Sequence, residues 1–250
     1  MNLKSKIALA ALTLTAGSSV MAQLAYNVGA VSEYRYRGIA QSALAPAVQG
    51  GVDYAHGSGF YVGAWGSQIR WIAEAGTASN VETKGPVELD IYGGYKGEIR
   101  KDFTYDVGYL RYEYVSNTYK DIAGTVSPNT DEAYGALTYG PYTAKVSYAF
   151  STLFGTAKSE GSVYYDLSAT FDLGSGYSIV PHLGRQEIAG PGTNKDYSYT
   201  DYSVTLAKDL GKGLSASIAA IGTDGKASLY TVNGRKLADT TAVVGVKYTF

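Results

Sequence analysis

The sequence predicts an all-β chain: a transmembrane, up-and-down antiparallel β-barrel of twelve strands. Three observations predict it. The closing residues alternate, with Thr240, Ala242, Val244, Val246, Tyr248 and Phe250 on one side and Thr241, Val243, Gly245, Lys247 and Thr249 on the other. The connections between such alternating segments are short and long by turns. The composition is rich in tyrosine (24) and glycine (31) and holds no cysteine. One apolar face suits a half-buried strand of any sheet, a β-sandwich included; this length, with aromatics at the rim, suits a strand crossing a bilayer at a tilt. Tyrosine, an apolar ring with a polar tip, suits a membrane-water interface.

Met1 to Ala22 is expected to be a cleaved secretory signal. Lys4 and Lys6 give a basic start, Ile7 to Ala16 is an apolar run too short to span and stay, and Val20-Met21-Ala22 offers small residues before Gln23. The mature chain is then a single barrel domain, 23–250, outside the cytoplasm. Losing two lysines leaves 19 basic and 22 acidic residues, net −3, which is no nucleic-acid footprint. Without cysteine there is no disulfide and no thiolate chemistry. No long uninterrupted apolar run follows the signal, so a membrane form must close a sheet.

The first alternating segment is read from Tyr26 to Arg37, with Tyr26, Val28, Ala30, Tyr34 and Tyr36 on one face, Ser32 the exception there, and Glu33, Arg35 and Arg37 on the other. The second, Ala47 to Ala55, sets Val48, Val52 and Tyr54 against Gln49 and Asp53. After a tight turn at 56–59, the third, Phe60 to Ile69, is apolar or small on both faces, which leaves its orientation open. Trp71 to Gly85 reads as a polar gap. The fourth, Val87 to Lys96, opposes Val87, Leu89, Ile91 and Tyr95 to Glu88, Asp90, Tyr92 and Lys96.

The fifth begins with Phe103, Tyr105, Val107 and Tyr109 against Thr104, Asp106 and Gly108, and then slips phase. Either a bulge near Tyr109 turns Arg111 and Glu113 inward, or the strand has left the bilayer there. A loop, 115–130, precedes strands at 131–139 and 142–150, the second with Lys145 on its polar face. The eighth, 163–173, sets Asp166 and Asp172 on the polar side, and the ninth, 177–186, carries His182 there; Pro181, lacking a ladder donor, predicts a bulge. Strands at 201–209, 214–223 and 240–250 complete twelve. Connections near 56, 97, 140, 174 and 211 are short; those near 38, 71, 115, 151, 187 and 224 are long. An up-and-down barrel requires this rhythm, and a sandwich has no reason to produce it.

Residues 32–39 (Ser-Glu-Tyr-Arg-Tyr-Arg-Gly-Ile), then Gln41-Ser42 and 46–51 (Pro-Ala-Val-Gln-Gly-Gly), resemble the opening of the TorF family of proteobacterial porins. So do 59–65, 88–95 and Asp106-Val107-Gly108, with a looser match at Asp201-Tyr202 and Lys208-Asp209. After Asp-Val-Gly the family has tyrosines and a proline, where this chain has residues 110–115, Leu-Arg-Tyr-Glu-Tyr-Val. The resemblance implies an outer-membrane channel and supplies no solute. Tyr248 and Phe250 also resemble the terminal signal read by bacterial barrel-assembly machinery, an expected partner beside outer-membrane lipid.

The expected lining is Glu33, Arg35, Arg37, Asp53, Glu88, Asp90, Asp106, Lys145, Asp166 and Asp172. Opposed charges across a narrow lumen select small hydrophilic solutes by charge; alternatively they pair and plug the barrel, leaving the outer loops as a binding surface. Mixed signs argue against a strongly anion-selective pore. Hydrolysis needs a base beside a hydroxyl, and His182, with Ser168 and Asp166 near it in sequence register, is the one candidate inside the barrel. Two histidines and no cysteine leave no ordinary metal site and call for no cofactor. Oligomeric state is not written in the pattern.

Overall fold

The structure, a computed structural model, describes residues 23–250, so the expected signal segment 1–22 lies outside the described residues. Twelve antiparallel strands form one closed sheet: β1 (Gln23–Val31), β2 (Ala47–Ala55), β3 (Phe60–Gln68), β4 (Val87–Arg100), β5 (Phe103–Tyr114), β6 (Thr130–Tyr139), β7 (Tyr142–Ala149), β8 (Val163–Ala169, prolonged by Phe171–Gly174), β9 (Tyr177–Glu187), β10 (Tyr199–Gly211), β11 (Leu214–Thr223) and β12 (Thr241–Thr249). Each pairs with its neighbour in sequence, and β12 pairs with β1 from Asn27↔Thr249 to Val31↔Gly245. Tyr26 and Phe250 exchange backbone hydrogen bonds of 2.9 and 3.0 Å beyond that ladder. Closure leaves no free edge, the condition for a sheet surrounded by lipid.

The period of two sorts the side chains. Outward residues stay apolar and uncovered: Val28 is 47% exposed, Leu167 53% and Val246 54%. A band of this kind around the whole sheet is the surface a hydrocarbon layer covers. At the short-turn end it finishes in aromatic pairs: Tyr26–Phe250 with centroids 5.7 Å apart, Phe60–Tyr95 at 5.0 Å, Phe103–Tyr139 at 6.0 Å and Tyr142–Phe171 at 6.0 Å. Lys208 Nζ sits 3.9 Å above the Tyr177 ring at the same rim. Rings with polar tips and cations on their faces form an interfacial girdle.

Several sequence expectations are corrected, and two that were left open, the facing of the third segment and the phase slip in the fifth, are decided. The first strand ends at Val31, not Arg37. There Ser32 N–H donates to Val244 O at 2.8 Å, and the chain then leaves the wall. Residues 71–85 are not a plain gap: Trp71–Ala78 forms a short helix, α1, whose Ile72 and Gly76 are buried. The third segment, left open by its sequence, points Phe60 and Val62 outward, while Gly63 and Ser67 are buried on the inner face. In β5 the register runs through Tyr109 without a bulge. Tyr112 and Tyr114 are therefore inside and buried, and Arg111 pairs outside with Glu113 (2.7 Å) and Asp131 (2.9 Å) where the strand has passed the apolar band. Pro181 causes no register shift between β9 and β10. The interruption falls in β8, at Thr170, whose N–H donates to Pro141 O at 2.9 Å, because the strand beside a proline lacks a ladder donor.

Candidate functional site

The inner wall is polar, and its tyrosines lie along it. Tyr92 on β4 crosses Gly63 on β3 to donate to Asp53 on β2. A Cβ at Gly63 would stand 2.5 Å from the Tyr92 ring and 2.7 Å from Asp53 Oδ1, so only glycine admits this crossing. Tyr61 on β3 lies over Gly94, and Tyr134 on β6 over Gly108; their hydroxyls meet, and Tyr61 also donates to Asp106 Oδ1 at 2.5 Å. Tyr164 on β8 crosses Gly184 to reach Asp201 on β10, at 3.0 Å to Oδ2 and 3.2 Å to Oδ1. Asp53, Asp106 and Asp201 thus each accept from a phenol that lies over a neighbouring glycine, which satisfies both groups.

Cations complete the wall. Lys145 Nζ on β7 stands 4.1 Å above the Tyr134 ring. His182 on β9 lies between two carboxylates: Nε2 is 3.1 Å from Asp166 Oδ2 and Nδ1 is 3.6 Å from Asp201 Oδ1. Its Nε2 is also 3.3 Å from the Tyr164 hydroxyl. The contacts of His182 are carboxylates and a phenol, and Ser168, opposite it in register, makes no hydrogen bond to it among the described residues. Both ring nitrogens of His182 thus face carboxylates, and no serine hydroxyl bonds to it among the described residues.

The mouth at the long-loop end is narrowed from within. Residues 32–46 turn inward as a small hairpin, Arg35–Tyr36 against Ile39–Ala40. Its tip is Arg37-Gly38, with φ +46° and +80°, both left-handed as a two-residue primed turn requires. Gly38 has no room for a side chain: a Cβ would stand 2.5 Å from Thr223 Cγ2 and 2.7 Å from Asp201 Cβ. The tip therefore packs against the wall at β10 and β11 and projects Arg37 across the barrel mouth. There Arg37 makes a two-point contact with Glu132 on β6, Nη1–Oε1 at 3.0 Å and Nη2–Oε2 at 2.7 Å, and donates to Gln186 Oε1 on β9 at 2.7 Å. Its guanidinium lies 4.2 Å from the Tyr164 centroid and 4.8 Å from that of Tyr36. Planar, two-point pairing between rings is what an arginine does better than a lysine.

The rest of the hairpin is sewn down. Tyr34 donates to Glu88 Oε1 at 2.6 Å, and Tyr36 bonds the Tyr112 hydroxyl. Burial, with the Glu88 carboxylate adding to it, pushes the Tyr34 phenol well above its ordinary range. Arg35 Nε donates to Glu33 at 2.7 Å and its Nη1 to the carbonyls of Gly38 (2.9 Å) and Asp239 (2.8 Å). An apolar cluster of Tyr34, Ala47, Ile69, Ile72, Tyr112 and Tyr114 backs it. Beside this cluster Asp90 Oδ1 is buried and meets no hydrogen-bond partner among the described residues.

Of the expected lining, Asp53, Glu88, Asp90, Asp106, Lys145 and Asp166 face inward on strands. Glu33, Arg35 and Arg37 do not lie on a strand face; they belong to the inturned hairpin, because the ladder to β12 ends at Val31. Asp172 is off the lumen: it is exposed at the short-turn rim and accepts from Gly174 N–H at 2.8 Å. Sequence reading missed Glu132, Gln186 and Asp201. Counting inward by two from Tyr134 gives Glu132, and from Ser203 gives Asp201, so alternation could have found both.

A family model described as a bacterial protein of unknown function, Gcw_chp, matches residues 15–250. No curated protein matches the sequence significantly. Among solved structures the chain is similar to a KdgM porin in complex with disordered oligogalacturonate, at 10% identity over 92% of this chain and 99% of that one, TM-score 0.53. It is similar to a NanC porin solved in a rhombohedral crystal form, at 11% identity over 90% and 99% of the two chains, TM-score 0.55. At these identities the likeness is one of fold. The match over most of its length shows that the chain belongs to the Gcw_chp family.

Proposed function

We propose that this member of the Gcw_chp family is a porin-like channel of the bacterial outer membrane, passing small hydrophilic solutes by diffusion through a narrow, charged lumen. The observation that carries the reading is the inversion of the sheet: apolar and uncovered outside, charged and hydrogen-bonded inside. A twelve-stranded barrel lies between the filled eight-stranded barrels and the wide porins of 16–18 strands. In this reading 1–22 is removed after export, 23–250 is the barrel, and the barrel-assembly machinery reads Tyr248 and Phe250. The resemblance of 32–39 to TorF-family porins supports the same assignment.

Asp53, Glu88, Asp90, Asp106, Lys145 and Asp166 line the passage, joined by Glu132, His182 and Asp201. Acids lead, so cations are the favoured charge class. No energy source or cofactor enters the mechanism: the wall supplies fixed charges and the solute supplies its gradient.

The inturned hairpin favours a second reading, a plugged barrel that binds ligands with its long loops. Single-channel recording of refolded protein in a planar bilayer under a salt gradient separates the two. Discrete steps with a cation-side reversal potential support the channel. A folded, heat-modifiable barrel that stays electrically silent, with Arg37→Ala silent too, supports the plug.

A further inference from the structure

The contact that narrows the mouth has the anatomy of a ligand site. Its walls come from three strands on the far side of the barrel: Glu132 on β6, Tyr164 on β8 and Gln186 on β9. Its occupant, the Arg37 guanidinium, comes from a loop anchored at β1 and β2. The occupant is held on a left-handed backbone, φ +46°, which a non-glycine residue adopts at a cost and which clusters at functional positions. The base of the hairpin does not share this tension: Gln41 N–H donates to Tyr34 O at 2.8 Å, Ala40 N–H to Leu237 O at 2.9 Å, and Tyr34 N–H to Ser42 Oγ at 2.9 Å. The contact that can be exchanged without unmaking these backbone bonds is that of the Arg37 side chain with Glu132 and Gln186.

We propose that the Glu132–Gln186–Tyr164 site binds small solutes bearing a guanidinium group, and that Arg37 is its resident stand-in, displaced when such a solute enters. The inference rests on the channel reading and names its substrate class. A planar cation between two rings, with a carboxylate taking two of its N–H groups and an amide oxygen a third, fits a guanidinium and not an anion or a neutral sugar. Asp90, with a buried oxygen unsatisfied among the described residues, lies opposite Tyr112 in the ladder and offers a second cation acceptor on the same wall. When the solute holds Glu132, Arg37 is released from the passage, so the solute that fits the site also opens the way past it. The exchange is population shift: the solute acts by the difference between its affinity for the open site and for the occupied one.

The test records the refolded full chain in planar bilayers with millimolar L-arginine added at the long-loop side, against L-citrulline, which replaces the guanidinium by a neutral urea. In the wild type L-arginine raises the mean current saturably, by about twofold or more, and L-citrulline leaves it unchanged. Arg37→Ala starts at the raised current, and L-arginine, with no resident side chain to displace, raises it no further. Glu132→Gln loses the response. Arg37→Lys, which keeps the charge but loses the two-point contact, responds at lower L-arginine concentration.

Equal action of the two amino acids on the wild type overturns the inference and leaves the channel standing. So does a rise in current with L-arginine that survives in Arg37→Ala, or a wild-type current that L-arginine only lowers. Folded, heat-modifiable wild type and Arg37→Ala that are both silent with and without L-arginine overturn the channel itself.

Discussion

Arg37 and Glu132 stand 95 residues apart in the chain and meet face to face across the barrel mouth, guanidinium to carboxylate, at 2.7 and 3.0 Å. Both side chains are almost wholly buried, at 5% and 2% exposure. The hairpin's contact with β6, β8 and β9 therefore centres on one desolvated ion pair, with Gln186 and the Tyr164 ring beside it.

Removing one partner of a buried pair strands the other. Arg37→Ala is expected to lower the unfolding free energy by about 3 kcal/mol or more, because Glu132 is left charged and unpaired. Arg37→Ala with Glu132→Ala recovers most of that loss, since no orphan charge remains. Urea unfolding in lipid vesicles followed by tryptophan fluorescence measures the cycle, and strict additivity of the two single losses would count against the pair as described.

Arg35→Ala with Arg37→Ala removes two positive charges from the hairpin and leaves the acids of the wall in place. The reversal potential in a salt gradient is expected to move further towards that of the cation. An unchanged reversal potential would place the selective charges deeper in the lumen.

Gly184→Ala sets a methyl group 2.0 Å from the Tyr164 hydroxyl and 2.6 Å from Asp201 Oδ2. Overpacking of this kind costs about 1–3 kcal/mol and drives the ring off the wall. Gly135→Ala is the matched control, since nothing lies within 4 Å of its Cβ. Thermal unfolding of the two variants should separate clearly, with Gly135→Ala close to wild type.

The buried Tyr34 phenol ionises well above its ordinary value of 10.0, through burial first and the Glu88 carboxylate second. Above that ordinary value the unfolded chain loses the proton and the folded one keeps it. The stability Tyr34 supplies is thus complete at neutral pH and declines as the pH rises beyond about 10. Tyr34→Phe should flatten that alkaline decline while lowering stability at neutral pH through the lost 2.6 Å bond to Glu88. Unfolding midpoints measured from pH 8 to 11.5 or so test it.

Phe250 stacks on Tyr26 across the closing seam and on Tyr248 along its own strand, with centroids 5.7 and 5.5 Å apart. Phe250→Ala removes both ring contacts but not the backbone bonds to Tyr26. The fraction of heat-modifiable barrel recovered from cell envelopes should fall, while protein refolded in detergent loses about 1 kcal/mol from the missing stacks.

What the sequence made legible was whatever obeys the period of two. The twelve strands, the alternating connection lengths and the inward placing of Asp53, Glu88, Asp90, Asp106, Lys145 and Asp166 all follow from alternation and from turn residues. The hairpin was illegible for the same reason. Tyr34 and Tyr36 resume the alternation of Tyr26, Val28 and Ala30 after a single exception at Ser32, and only tertiary partners, Glu88 for one and Tyr112 for the other, take them off the wall. Arg37 could be read as inward-facing, but its partners on β6, β8 and β9 are set by closure of the sheet, which no local pattern encodes. Asp172 alternates correctly and still misses the lumen, because the strand has reached the rim by then.

Four tyrosines of the inner wall, Tyr92, Tyr61, Tyr134 and Tyr164, lie down because a glycine stands beside each of them. Ring and glycine together take up little more depth than the backbone itself. The free diameter of such a tube is therefore not fixed by how many strands surround it. It is composed residue by residue: where glycine stands next to tyrosine the bore is wide and its surface smooth, and where any larger residue replaces that glycine the ring must stand up as a baffle. A chain built on this plan can reshape its interior by exchanging single glycines, without adding a strand, shifting a register or moving a charge.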